Sequence, residues 1–191
     1  MIVILHLVRH AVAVHNATQD FTILDPPLTP YGREQATKLH HLTEQNIQQT
    51  AELIVTSPLT RTLQTTIIGF PALRARLEAQ AEHKGIIALS RLQETGVNPC
   101  NFASRMCIGI LKEMHTGDTG RPQEELERIE EFSGIDFSLL EDDWTSKKGD
   151  FDPEVDRERA KWVRKWLRAR PEKEIVGEYG SSYIDIFLQT S

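Results

Sequence analysis

An α/β fold, three-layered, with a mostly parallel central sheet and helices on both faces, is predicted by three features of the 191-residue sequence. The run from Ile2 to Val8 is apolar apart from His6 and rich in β-branched residues, the pattern of a strand buried on both faces inside a parallel sheet. Leu53-Ile54-Val55-Thr56 repeats that pattern. Between and after these runs lie segments with helix start signals and apolar positions at a 3.6-residue period, which cover a sheet.

The first strand ends in Arg9 and His10. In open α/β sheets ligands bind just outside the carboxyl ends of strands, so a cation and an imidazole arrive together where a substrate can reach them. Neutral histidine is a competent nucleophile toward phosphorus, and arginine holds a phosphoryl group through two parallel hydrogen bonds. The pair points to phosphoryl transfer through a phosphohistidine. Ala11 to Pro27 reads as a polar loop containing His15, Asn16 and Asp25, where Asn16 alone also fits an ordinary turn. Thr29 as N-cap and Pro30 at the first helical position start a helix running to about Gln49, with Ala36, Leu39, Leu42 and Ile47 as its apolar stripe. His40 and His41 read as surface residues of that helix, without a metal.

After the second strand, Ser57-Pro58 turns the chain into a helix carrying Arg61 in its first turn, facing Arg9 and His10. A cation is electrostatically unfavourable at a helix N-terminus, which favours a functional use for it. Leu73 to Ala81 reads as helix and Gly85 to Leu89 as strand, leading to Arg91-Leu92-Gln93-Glu94. A carboxylic acid beside a phosphate can protonate the leaving oxygen and later deprotonate the attacking water, which suits Glu94. Gln123 to Phe132 reads as a charged helix, and Asp152-Pro153-Glu154 opens another whose apolar face is Ala160, Val163, Trp166 and Leu167. Trp162 and Trp166 belong to the core or its rim. A further strand begins at Pro171 and reaches Val176.

Hydrophobic content of 39% and charged content of 26% are ordinary for one globular domain. A net charge of -6 gives no global basic field, so neither nucleic acid nor an acidic membrane surface is an expected partner. No run is long enough to span a bilayer, and the N-terminal run lacks the basic flank and small-residue site of a signal peptide. Cys100 and Cys107 have no metal-ligand spacing around them. These features point to a reduced chain in the cytoplasm, or in cytoplasm and nucleus.

Leu7-Val8-Arg9-His10-Ala11, then Asn16, then Asp25-Pro26-Pro27-Leu28-Thr29-Pro30-Tyr31-Gly32-Arg33-Glu34-Gln35-Ala36, then Ile54 to Thr65, then Leu92-Gln93-Glu94, stand in the order found in a known family. The chain resembles the histidine phosphatase superfamily, and within it the phosphoglycerate-mutase-like branch, over most of residues 1–176. The resemblance implies catalytic roles for His10 and Glu94 and phosphate binding by Arg9, Asn16 and Arg61, with no metal and no cofactor. It implies a small phosphomonoester substrate, hydrolysed in two steps through phosphorylated His10. Arginines clustered at His10 should depress its pKa and keep it nucleophilic.

Three departures stand out. Ala11 replaces the glycine usual after the nucleophile. Pro99-Cys100 is separated from Asp118-Thr119-Gly120 by residues 101–117, which fit no turn or linker and read as an insertion, in origin a translated intron. The second histidine that the family delivers in a Thr-His-Gly-like turn after the last of these strands is missing: residues 177–191 form an atypical tail, and no histidine follows His115. Such a loss costs on the order of 10²-fold in rate, and His15 is the one stand-in. Two alternatives stay open, a mutase that returns the phosphoryl group to a second hydroxyl and a non-catalytic module that binds phosphate or protein. Sugar phosphates, nucleotides, polyphosphates and phosphopeptides all fit as substrates.

Overall fold

The computed structural model describes residues 3–80, 85–94 and 118–179; the insertion expected at 101–117 and residues 180–191 of the tail lie outside them. Strands β1 (Ile4–Arg9), β2 (Leu53–Thr56), β3 (Ile86–Leu89), β4 (Ile135–Leu139) and β5 (Glu174–Tyr179) form one sheet in the order β1-β5-β2-β3-β4. Every pairing between them is parallel. The helices are α1 (Val14–Thr18), α2 (Pro30–Thr43), α3 (Ile47–Thr50), α4 (Thr60–Gly69), α5 (Pro71–Glu78), α6 (Gln123–Glu127) and α7 (Asp156–Arg168).

Successive strand residues point to opposite faces, and the core divides accordingly. Ile54, Ile86 and Val176 pack with Leu63 of α4 and with Leu73 and Leu77 of α5 on one face. Leu53, Val55 and Ile175 pack with Ala160, Val163 and Leu167 of α7 on the other. Helices on both faces of a parallel sheet give the three-layer fold the sequence predicts. β2 and β3 are buried along their whole length, as their unbroken apolar runs require.

Several elements differ from expectation. β1 is flanked only by β5 among the described strands, so it is half-buried or exposed where burial on both faces was predicted, and Ile4 is 54% exposed. The loop expected over Ala11 to Pro27 contains α1. The long helix from Pro30 stops at Thr43, because Asn46 accepts from the Ile47 amide and starts α3. The helix expected over Gln123 to Phe132 breaks after α6 into a 3-10 turn. Asp152 does cap, but it caps a 3-10 turn over Pro153–Val155, and α7 follows at Asp156. β4 was not foreseen, although Ile135, Phe137 and Leu139 alternate with Asp136 and Ser138 as a strand beside solvent should. β5 continues past Val176 to Tyr179, so residues 177–179 of the tail are strand. Trp162 and Trp166 stack at 6.5 Å on the rim of α7, with the Arg91 guanidinium 4.7 Å over Trp162.

The consequence for function lies at the carboxyl ends of β1, β5 and β2, which stand side by side. The chain leaves β1 toward one face and returns to β5 through α7 on the other. Where connections part in this way a crevice opens.

Candidate active site

His10 follows the last residue of β1 and is 8% exposed. Its Nδ1 lies 2.8 Å from the Ala11 carbonyl oxygen, which can only accept, so Nδ1 carries the proton and Nε2 keeps its lone pair. Arg61 Nε donates to that Nε2 at 3.3 Å. The loop behind His10 is held from three sides. The Ala11 amide donates to Thr65 Oγ1 (3.1 Å), the Val12 amide to Gln35 Oε1 (3.0 Å), and the Val12 carbonyl accepts from the Thr29 amide and hydroxyl. Thr29 also caps α2 by accepting from the Gly32 amide. A Cβ on Gly32 would lie 2.1 Å from the Val12 oxygen, so only glycine lets α2 approach this closely. Much of the Thr29 to Gln35 motif is therefore scaffold for the loop that carries His10.

Burial is the largest cause that lowers the His10 pKa to about 3; Arg61 adds to it and the Ala11 carbonyl opposes it. The direction matches the sequence expectation, but the leading cause is desolvation, and Arg9 contributes least of the groups acting on it.

Arg61, in the first turn of α4, is 1% exposed. Its Nε faces His10 and its Nη2 donates to Asp118 Oδ1 at 2.7 Å. Asp25 supplies the negative end that the N-terminus of α4 needs, accepting from the Thr60 amide (2.8 Å) and hydroxyl (2.6 Å), with Arg121 Nε 3.2 Å away. Burial nonetheless pushes the Asp25 carboxyl up.

The opposite wall is built around Gln93 and Glu94, both buried. Gln93 Nε2 donates to the Trp144 carbonyl at 2.7 Å, which turns Oε1 toward Lys147, whose Nζ donates to it at 2.5 Å and to the Glu94 carbonyl at 3.0 Å. Arg159 Nη2 donates to the Gln93 carbonyl at 3.1 Å. Gly120, two residues after Asp118, lies against the Trp144 ring, where a Cβ would overlap it at 1.8 Å. Burial lowers the Lys147 pKa to about 7, with Asp118 opposing and Arg159 adding. Glu178 of β5 closes the floor. It is fully buried, accepts weakly from Thr56 Oγ1 (3.5 Å), and burial raises its pKa well above the ordinary value against the pull of Arg61.

The structure thus brings His10, Arg61 and Glu94 into one cluster. Asn16 sits at its edge, half-buried in α1, accepting from the Ala13 amide while its Nδ2 donates to His15 Nε2 at 3.0 Å. His15 is buried on this short helix, its ring 6.4 Å from that of His10. Because Nε2 accepts, His15 Nδ1 carries the proton, and that buried donor has no hydrogen-bond partner among the described residues. Its pKa is lowered to about 4, by burial first and Arg61 second. Arg9 is the exception: it is exposed, and with His10, Asn16, Gln35 and Thr65 it lines an open groove of about 600 Å³.

Asp118, Lys147, Arg159 and Glu178 were not picked out as site residues from sequence. Asp118 stood in a quoted motif, but Lys147 and Arg159 are brought in from distant turns and helices and carry no local signal. Elsewhere, donor atoms of His40, His41 and Glu44 lie within 4.8 Å of one another. The Gln48 amide, fixed because its Oε1 accepts from the Ala72 and Leu73 amides, donates Nε2 to His40 Nδ1 at 3.1 Å. His40 Nε2 therefore keeps its proton, the wrong tautomer for a ligand.

The family model of the histidine phosphatase superfamily (branch 1) matches residues 5–97, the stretch that carries β1, α4 and Glu94. Over that stretch the chain is similar to the histidine phosphatase superfamily. It is 27% identical over 190 residues to a phosphoglycerate mutase-like protein of Arabidopsis thaliana, covering 90% of this chain and 68% of that one. Against phosphoglycerate mutase-like protein 2 of the same plant the identity is again 27%, and the chain spans 61% of that relative's length. Among solved structures, the alpha-ribazole phosphatase of Shigella flexneri superposes with a TM-score of 0.51 at 15% identity, covering 94% of this chain and 75% of the other. At that identity the superposition shows the histidine phosphatase fold. No helix among the described residues is long and apolar enough to cross a membrane.

Proposed function

We propose that this chain hydrolyses a small phosphomonoester through a phosphohistidine on His10. The observation that carries the reading is the tautomer of His10, with its Nε2 lone pair held in a buried site against the Arg61 guanidinium. An imidazole kept neutral by burial attacks phosphorus at any pH near neutrality. In the first step His10 Nε2 forms the bond to phosphorus as the ester oxygen leaves, taking a proton from Glu94. In the second, Glu94 removes a proton from water, whose oxygen displaces His10 and releases phosphate. Arg61 and the exposed Arg9 neutralise the charge on the transferring oxygens, and Asn16 orders the loop around them. The Nδ1–H of His15 supplies a donor in place of the missing second histidine.

A second reading, a pocket that binds phosphate without turning it over, is favoured by Asp118, whose carboxylate already occupies the far edge of Arg61. The two separate in one experiment on the purified chain: phosphomonoesterase activity, followed by quench in alkaline denaturant and detection of alkali-stable, acid-labile phosphate on His10. Turnover and label that both vanish in His10→Ala support the hydrolase. Phosphate binding without label or turnover rejects it in favour of the binding pocket.

A further inference from the structure

Lys147 is placed as a binding residue without an anion to bind. Its ammonium is turned inward onto two neutral oxygens, Gln93 Oε1 and the Glu94 carbonyl, and among the described residues no carboxylate oxygen lies within 4.0 Å of Nζ. Lys147 is half-buried, and its ammonium has exchanged water for neutral acceptors, while the carboxylates of Asp118 and Glu94 act on it only from beyond 4.0 Å. The position is built. The Gln93 amide that receives Nζ is locked by its own bond to the Trp144 carbonyl, and Arg159 holds the Gln93 backbone. The Lys147 backbone adopts φ 54°, in the left-handed region that a residue with a long side chain rarely takes, and such conformations collect at functional sites. The neighbours that act on Nζ are Asp118, Arg159, Glu94 and Arg61. They are the groups around the reacting phosphoryl site, and the field of the Glu94 carboxylate, with the bond from Nζ to the Glu94 backbone carbonyl, puts Lys147 on the side where the alcohol leaves.

On the hydrolase reading given above, we propose that Lys147 selects substrates whose leaving alcohol carries a second acidic group, a carboxylate or a phosphate, a few bonds from the ester oxygen. One N–H of the ammonium is not used by Gln93 or Glu94 and is available to that group. Its arrival puts a counter-charge in direct contact with Nζ, where Asp118 and Glu94 act only at longer range, and holds there a proton that is otherwise only half retained at neutral pH. Arg159 adds positive potential at the same place.

Three matched three-carbon esters test this: propyl phosphate, 3-(phosphonooxy)propanoate and propane-1,3-diol bisphosphate. The ratio of kcat/KM for each acidic ester to that for propyl phosphate should be about tenfold or more in the unmodified chain, the value of one charge-assisted hydrogen bond. The ratio should fall toward unity in Lys147→Met and be kept in part by Lys147→Arg; where Lys147→Met does not fold, Lys147→Gln replaces it. The two acidic arms tell which anion is preferred. A ratio near unity in the unmodified chain, or one unchanged by Lys147→Met, overturns the proposal while leaving the hydrolase intact. Calorimetric titration with the same esters separates the opposite failure. Tighter, Lys147-dependent binding of the acidic esters without any turnover keeps the subsite and removes the hydrolase.

Discussion

The two walls of the site are made in different ways. The His10 wall comes from chain that is contiguous or nearly so: β1, the loop after it, α2 and the first turn of α4 all fall between Ile4 and Gly69. The Glu94 wall gathers Gln93, Glu94, Asp118, Lys147 and Arg159 from four separate segments: Lys147 bonds the Gln93 amide and the Glu94 carbonyl, Arg159 the Gln93 carbonyl, and Asp118 the Arg61 guanidinium. On the proposed hydrolase reading, the first wall presents the nucleophile, with its geometry fixed by the fold. On the same reading the second handles the leaving group, and it depends on every segment arriving. Arg61 belongs to both, bonded to His10 on one side and to Asp118 on the other.

If Arg61 joins the walls, its loss should be the largest single effect outside the nucleophile. Arg61→Ala is expected to lower kcat/KM about 10³-fold, the upper end for removal of a preorganised transition-state donor. Arg61→Lys should recover little, because one ammonium cannot contact both Nε2 and a carboxylate in the same fork geometry. Steady-state kinetics on both variants, with near-ultraviolet circular dichroism to verify folding, checks this. Equal activity of Arg61→Lys and the unmodified chain would show that Arg61 acts only as a diffuse charge.

Glu94→Gln tests the second wall alone. If Glu94 is the proton donor of the proposed hydrolysis, this change removes it while keeping the shape, and turnover of an alkyl phosphate should fall about 10²-fold or more. An ester with a good leaving group, such as 4-nitrophenyl phosphate, needs less protonation and should lose much less. Equal losses for both esters would mean that Glu94 acts through packing.

The contrast between the walls also explains what could be read from sequence. Arg9, His10, Asn16, Arg61 and Glu94 are carried by local motifs, because a strand end or the first turn of a helix imposes its geometry within a few residues. The burial of β2, and the cap that Thr29 places on α2, follow from the same local rules. Lys147 and Arg159 reach the site only through the packing of Trp144 and α7 on the sheet, a long-range outcome that no window of sequence contains. The exposed setting of β1 was hidden for a related reason: its apolar pattern describes the strand, while its depth depends on which strands pair beside it. Arg9 shows the limit of the motif itself, since adjacency to His10 in sequence puts its side chain at the rim.

A smaller test concerns scaffold. Gly32→Ala leaves every reacting group in place but pushes a methyl into the Val12 carbonyl, and overpacking of this kind costs about 1–3 kcal/mol. The expected outcome is a lower midpoint in chemical denaturation together with a fall in kcat, because the displaced atom lies two residues from His10. A fall in stability with kcat unchanged would show that the loop relaxes independently of the nucleophile.

The smallest effect distinguishes how dry the first wall is. The folded-state pKa of His15 is lowered from 6.5 to about 4, so as pH falls below about 6.5 the unfolded chain takes up a proton that the folded chain refuses. The folded state therefore loses stability toward acid, by about 1 kcal/mol per pH unit down to about pH 4, after which the loss is complete. His10 adds a loss of the same sign. Glu178 acts in the other direction: its raised pKa lets the folded state keep a proton that the unfolded chain releases above about pH 4.5, so its contribution shrinks as pH rises. Subtracting the stability curve of His15→Asn from that of the unmodified chain cancels both and leaves the His15 slope. A difference that steepens between pH 6.5 and 4 means that His15 stays neutral inside the fold, presenting one fixed Nδ1–H donor beside His10. A flat difference would mean that water reaches the ring and that the histidine protonates freely, which removes it as the replacement for a strand-borne donor.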